Sequence, residues 1–117
     1  MQTITTAELK EMTQRTNDLA IVNVLPPGDF QSGHIPDSKN VPLGSADFEK
    51  QVEGLTGSRD RAIAVYCASE ECTASPKAAK RLDKAGFKNV FDYEAGMRGW
   101  QDAGLPVERG ESTDSAE

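Results

Sequence analysis

Short apolar runs alternate along the chain with segments in which apolar residues recur every three or four positions. The apolar runs are typical of buried parallel strands, and they span residues 19–25, 40–41, 62–66 and 90–93. The helical spacing predicts helices over residues 7–15, 29–32, 46–55 and 76–85, with a last short helix at Trp100. Because strands alternate with helices, we expect an α/β fold, a small open and mostly parallel sheet flanked by helices on both faces.

Several helix ends carry capping signals. Thr5 and Glu8 have the spacing of a capping box, and Ser45 stands where it would cap the helix over 46–55. Ser75 is also a predicted N-cap, because the residue after it is Pro76 and proline is favoured at the first position of a helix. Gly86 then fits the residue just past that helix's end.

The strand predicted at 62–66 runs directly into Cys67, which a polar loop joins to the helix after Ser75. Ligands of parallel sheets bind at the carboxyl ends of the strands, where Cys67 falls. Backbone N–H groups and the positive end of a helix dipole favour an anion there, so Cys67 is a candidate thiolate nucleophile. The alternative is a cysteine that serves only as a small buried apolar residue.

Two other polar residues lie in apolar surroundings. Asn23 interrupts a predicted strand, and we expect its amide to hold a neighbouring loop. His34, the only histidine, could be a general base for Cys67 or a metal ligand, but a structural hydrogen-bonding role is the stronger interpretation. One histidine with a Cys-x4-Cys pair is not a usual zinc pattern, so we predict no metal and no cofactor.

Composition narrows the classes of partner and compartment. The chain has 117 residues, enough for one domain, which we place at residues 1–107, with a disordered acidic tail at 108–117. With 13 Lys and Arg against 19 Asp and Glu, its net charge of -6 argues against nucleic acid or an anionic membrane as partner. No apolar run approaches the roughly 20 residues of a membrane span. With no secretory leader visible, we expect a cytoplasmic protein with free thiols.

Several motifs together resemble the rhodanese-like domain family over nearly the whole chain. They are Ile21-Val-Asn-Val, Phe30-Gln-Ser-Gly-His-Ile-Pro with Asn40-Val-Pro-Leu, Val65-Tyr-Cys, Ser75, Ala78-Ala-Lys-Arg-Leu, Gly86-Phe-Lys-Asn-Val, Gly96-x-x-x-Trp and Gly104-Leu-Pro-Val. The resemblance implies a sulfurtransferase or sulfur carrier that forms a persulfide on Cys67 and passes sulfane sulfur to a nucleophile.

The resemblance also implies the remaining parts of the site. The backbone amides of the substrate-binding loop would cradle the sulfur, and this loop comprises Ala68, Ser69, Glu70, Glu71, Cys72, Thr73 and Ala74. The expected partners are a small sulfur donor or a persulfidated protein, and a thiol acceptor. We expect a monomer or weak dimer. A phosphatase of the same fold is excluded, because Thr73 stands where its phosphate-binding arginine would be.

Three features depart from the family pattern. Asn23-Val-Leu replaces the usual Asp-x-Arg, and the loop is about two residues longer than the commonest sulfurtransferase loop. The loop also holds Glu70 and Glu71 and no basic residue, Lys77 being the nearest. Unless the two carboxylates point away into solvent, they oppose a thiolate and repel thiosulfate, so a persulfide donor suits this loop better.

Cys72 leaves three alternatives open. It could resolve a persulfide or sulfenate on Cys67 as a disulfide, which requires Cα atoms within about 7 Å, or it could be an incidental loop residue. It could also be the nucleophile itself, which would leave Cys67 as part of the strand core and make the loop shorter than the family's. The rival to the enzyme is therefore a catalytically weak rhodanese-like binding or redox-sensing module that uses a Cys67–Cys72 disulfide.

Overall fold

A computed structural model of the chain describes residues 2–15 and 18–110. Its ten elements alternate strand and helix, which confirms the predicted α/β class. They are β1 (Gln2–Ile4), α1 (Thr6–Arg15), β2 (Ala20–Asn23), α2 (Pro27–Ser32), β3 (Lys39–Asn40), α3 (Phe48–Thr56), β4 (Ile63–Tyr66), α4 (Ala74–Lys84), β5 (Val90–Tyr93) and α5 (Gly96–Asp102).

The five strands form one sheet in the order β1-β5-β4-β2-β3, and every neighbouring pair is parallel. The mostly parallel sheet is therefore confirmed. The edge strand β1 was not predicted, because its three residues contain a single buried apolar side chain, Ile4. The strand is identified by its pairing with β5, which the periodicity of the sequence does not reveal.

Helices cover both faces of the sheet, as expected. On one face, α3 and α4 pack on the sheet through residues such as Phe48, Val52 and Leu82. On the other, α1 and α5 pack through Leu9 and Trp100. The central strand β4 is buried along its whole length because it lies between these two layers and has a strand on each side.

One predicted helix start is confirmed and two are wrong. Thr5 and Glu8 form the capping box, with Thr5 Oγ1 accepting from the Glu8 N–H at 3.1 Å and Glu8 Oε1 accepting from the Thr5 N–H at 2.8 Å. Ser45 does not cap α3, because the helix begins at Phe48 and Asp47 occupies its N-cap position. Ser75 does not cap α4 either. It lies inside the first turn, where its hydroxyl bonds elsewhere.

The chain after Leu105 returns to α2. Glu108 pairs with His34 through two backbone hydrogen bonds of 2.8 and 2.9 Å, and the Gly110 N–H donates to the Gln31 carbonyl at 2.9 Å. These residues, assigned from sequence to the tail that begins at 108, are therefore part of the folded unit. The remainder of that tail, 111–117, lies outside the described residues and stays a prediction.

No helix within the described ranges has the length and apolar character needed to cross a bilayer.

Candidate functional site

The site lies where β4 ends, at the carboxyl edge of the sheet and between β2 and β5. Cys67 follows Tyr66, the last residue of β4, and its side chain has no solvent-exposed surface. It packs in the apolar cluster on the α3 and α4 face of the sheet. The structure thus places Cys67 at the strand end that the sequence predicts, with its sulfur directed inward.

Helix α5 holds the first two residues of the loop. The Met97 N–H donates to the Cys67 carbonyl at 2.9 Å, and the Arg98 N–H donates to the Ala68 carbonyl at 2.8 Å. Gly96 allows this approach, because a Cβ there would lie 2.5 Å from the Cys67 carbonyl oxygen. Its φ of +64° also lies in the left-handed region that favours glycine. The loop backbone at Cys67 is therefore fixed from a neighbouring connection.

The second half of the loop turns back on the first. The Cys72 N–H donates to the Ser69 carbonyl at 3.1 Å, and the Glu71 N–H to Ser69 Oγ at 3.3 Å. This turn brings the Cα atoms of Cys67 and Cys72 to 6.4 Å, and the two side chains form a disulfide. The expectation of free thiols is therefore not met in this structure, because the turn places both sulfur atoms together.

The cradle of loop amides expected around the Cys67 sulfur stays a prediction, because Cys67 Sγ is joined to Cys72 in this structure. Among the described residues, no loop N–H donates to Cys67 Sγ, and the polar contact of that atom is with the Cys72 carbonyl oxygen at 3.7 Å. Ala74, counted from sequence as a loop residue, is the first residue of α4. The loop proper therefore spans residues 67–73.

A buried polar pair fixes the far end of the loop. Ser75 Oγ in α4 donates to Asp92 Oδ1 in β5 at 2.6 Å, and both residues are almost wholly inaccessible to solvent. Burial raises the pKa of Asp92 above its ordinary value, the bond from Ser75 opposes that rise, and the Glu94 carboxylate adds to it. Asp92 was not recognised from sequence, although an acidic residue within an apolar strand is a usable signal.

A cavity of about 330 Å³ opens beside the loop. It is lined by Ser69, Glu70, Glu71, Ala95, Arg98, Gly99 and Asp102. Glu70 and Glu71 are exposed, and so is Arg98, the cation in this lining. Lys77, the basic residue nearest to the loop in sequence, lines a groove along α4 with Lys80, Arg81 and Lys84. Arg98 was not predicted as a site residue because it lies in α5, far from Cys67 in sequence.

His34 and Asn23 occupy structural positions. The His34 ring is buried, stacks on Phe30 with 3.8 Å between ring centroids, and places Nδ1 2.9 Å from the Phe30 carbonyl oxygen. Asn23 Oδ1 accepts from the Leu25 N–H at 2.8 Å, so this amide holds the connection that follows β2. Across residues 2–15 and 18–110, no three acidic, histidine or cysteine side chains are grouped to hold a metal ion.

The fold and the cysteine loop agree with a match to a family model, that of the rhodanese-like domain, over residues 5–103. The chain belongs to the rhodanese-like domain family. A solved structure of thiosulfate sulfurtransferase from Pseudomonas aeruginosa superposes on it with a TM-score of 0.80 at 26% sequence identity. The superposition covers 94% of this chain and 20% of the sulfurtransferase chain, so it matches one portion of that larger protein.

Curated relatives differ in how much of their length the chain covers. An HTH-type transcriptional regulator of Mycobacterium tuberculosis is 36% identical over 107 residues, which are 92% of this chain and 45% of the regulator. The chain therefore spans less than half of that relative. A putative sulfurtransferase of Bacillus subtilis is 31% identical over 98 residues, covering 84% of this chain and 88% of the relative.

Proposed function

We propose that the protein is a sulfurtransferase or sulfur carrier that forms a persulfide on Cys67. The observation that carries the proposal is the position of Cys67 in a rhodanese-like domain, at the carboxyl end of the central strand and ahead of the N-terminus of α4. The positive end of the helix dipole favours an anionic sulfur at this place. Relatives named as a sulfurtransferase and as a putative sulfurtransferase support the same chemistry.

The cavity beside the loop bears on which sulfur donor the protein uses. Three carboxylates, those of Glu70, Glu71 and Asp102, line it together with the Arg98 guanidinium. Repulsion between like charges weakens the approach of the thiosulfate dianion, although exposure to solvent screens part of that repulsion. We therefore propose a low-molecular-weight or protein persulfide as the preferred donor and a thiol as the acceptor.

The proposal is tested by intact-mass spectrometry after reduced protein is mixed with thiosulfate and, separately, with a low-molecular-weight persulfide. The reporter is Cys72→Ser, which keeps Cys67 and removes the disulfide partner. We expect it to gain one sulfur atom, faster from the persulfide, whereas Cys67→Ser gains none. No sulfur uptake by Cys72→Ser from either donor would contradict the proposed function.

A second candidate function is a redox-sensing module with little turnover, and the Cys67–Cys72 disulfide is the observation that favours it. The two functions differ in what the thiols react with. A sensor would lose two hydrogens on mild oxidation of the wild type. It would take up no sulfur from the donors above, in the wild type and in Cys72→Ser alike.

A further inference from the structure

The geometry of the loop points to a specific chemical role for Cys72. We propose that Cys72 resolves the Cys67 persulfide: its thiolate attacks Cys67 Sγ, expels the outer sulfur as hydrosulfide and leaves the Cys67–Cys72 disulfide. This inference rests on the proposed persulfide at Cys67. It adds a second reacting residue and a product, sulfide, that transfer to an external thiol would not form.

The step balances without an external oxidant. A bond forms between the two cysteine sulfurs, the bond between Cys67 Sγ and the outer sulfur breaks, and its electron pair leaves with the outer sulfur as HS⁻. The outer sulfur is thereby reduced by two electrons, which the two cysteine sulfurs supply as they become a disulfide. A dithiol reductant then returns both cysteines to thiols by donating two electrons and two protons.

Proximity selects Cys72 as the attacking group. The turn at Ser69 holds the Cα atoms of the two cysteines 6.4 Å apart, and the observed disulfide shows that their sulfurs reach each other without unfolding the loop. Cys72 also packs against the apolar cluster that contains Cys67, which restricts where its side chain lies. Groups held together in this way react with a large advantage over the same groups free in solution.

The surroundings disfavour attack on the inner sulfur by thiols from solvent. Cys67 has no exposed surface in this disulfide-bonded structure, so the sulfur donor and an external thiol alike need the loop to open before they reach its sulfur, whereas Cys72 is already beside it. Such a thiol reacts as an anion, and it approaches past the exposed carboxylates of Glu70 and Glu71. The Cys72 thiol already lies beside Cys67, so these carboxylates do not stand between the two sulfur atoms. The Cys67–Cys72 pairing places Cys67 Sγ, the inner sulfur of the persulfide, within reach of Cys72.

The experiment follows a single turnover. Reduced wild type and Cys72→Ser, freed of reductant, are each mixed with one equivalent of a low-molecular-weight persulfide. Samples are then quenched with an alkylating agent and their masses measured, while released sulfide is assayed in parallel. Cys72→Ala serves as a second variant that lacks the thiol, and Cys67→Ser measures sulfide released by any other route.

We expect the wild type to release about one equivalent of sulfide and to lose two hydrogens, and Cys72→Ser and Cys72→Ala to keep the added sulfur at least about tenfold longer. Equal persulfide lifetimes in wild type and both variants would overturn the inference and leave the proposed function standing. So would sulfur retained in the wild type on Cys72, which would mean attack on the outer sulfur. Absence of uptake in both Cys72 variants would instead overturn the proposed function itself.

Discussion

The two connections that follow β4 and β5 meet at the carboxyl edge of the sheet, and their backbones are held differently. The connection after β5 is short and leads at once into α5, whose Met97 and Arg98 N–H groups donate to loop carbonyls. The loop after β4 is longer and exposed at Glu70 and Glu71, and it turns on itself through Ser69 and the disulfide. The difference indicates that α5 positions the start of the loop at Cys67, while the middle of the loop, at Glu70 and Glu71, is held mainly by contacts within the loop itself.

Gly96→Ala should have the largest effect, because it breaks the contact between the two connections. The new Cβ would clash with the backbone of Cys67, Ala68 and Ser69, and the positive φ adds strain. We expect a loss of about 3 kcal/mol or more in the free energy of unfolding, measured by urea denaturation.

Gly104→Ala is the matched control for that prediction. Gly104 also has a positive φ, of +76°, but a Cβ added there would meet nothing within 4 Å. Backbone strain alone should then lower the free energy of unfolding by about 1 kcal/mol. Equal losses in the two variants would show that the close approach of α5 to the loop contributes nothing.

Ser75→Ala should have an intermediate effect, at the far end of the loop. It removes the donor to the buried Asp92 carboxylate, which we expect to lower stability by about 2 kcal/mol at pH 7. Ser32→Ala, whose hydroxyl lies at the exposed surface of α2, should change stability by less than ~0.5 kcal/mol.

The effect of Ser75→Ala should depend on pH. The folded pKa of Asp92 is raised above its unfolded value, so its contribution to stability is fully present below that unfolded value and is lost as pH rises through the folded pKa. Removing Ser75 raises the pKa of Asp92 further. The free energy of unfolding should therefore fall more in the variant than in the wild type as pH rises from acidic to neutral. Urea midpoints measured across that range provide the test, and a pH-independent difference would contradict it.

Arg98→Gln should have the smallest effect, on ligand approach rather than stability. It removes the guanidinium from the cavity beside the loop, so uptake of sulfur from thiosulfate by the Cys72→Ser protein should slow by about threefold, and less at high salt. Arg15→Gln, an exposed arginine in α1 paired with Glu11, is the control and should leave uptake unchanged. Equal rates for both variants would remove Arg98 from the site.

Local sequence is sufficient for the strand before Cys67 and for the end of the helix that follows the loop. The apolar run before Cys67 forms β4, and Gly86, with a φ of +95°, stands just past the end of α4 as predicted. The capping box of α1 and the holding role of Asn23 also involve residues close in sequence. Such features depend on backbone preferences and short-range hydrogen bonds, which neighbouring residues determine.

Tertiary structure decides which groups surround the loop. Ser75 looks like an N-cap in sequence, but it lies in the first turn of α4, where β5 offers its hydroxyl the buried Asp92 side chain as an acceptor. Arg98 and Gly96 reach the loop only because β5 lies beside β4 in the sheet. The pairing of Cys67 with Cys72 likewise depends on how the loop folds back against the core. These contacts arise from packing between distant segments, which the pattern of any one segment does not encode.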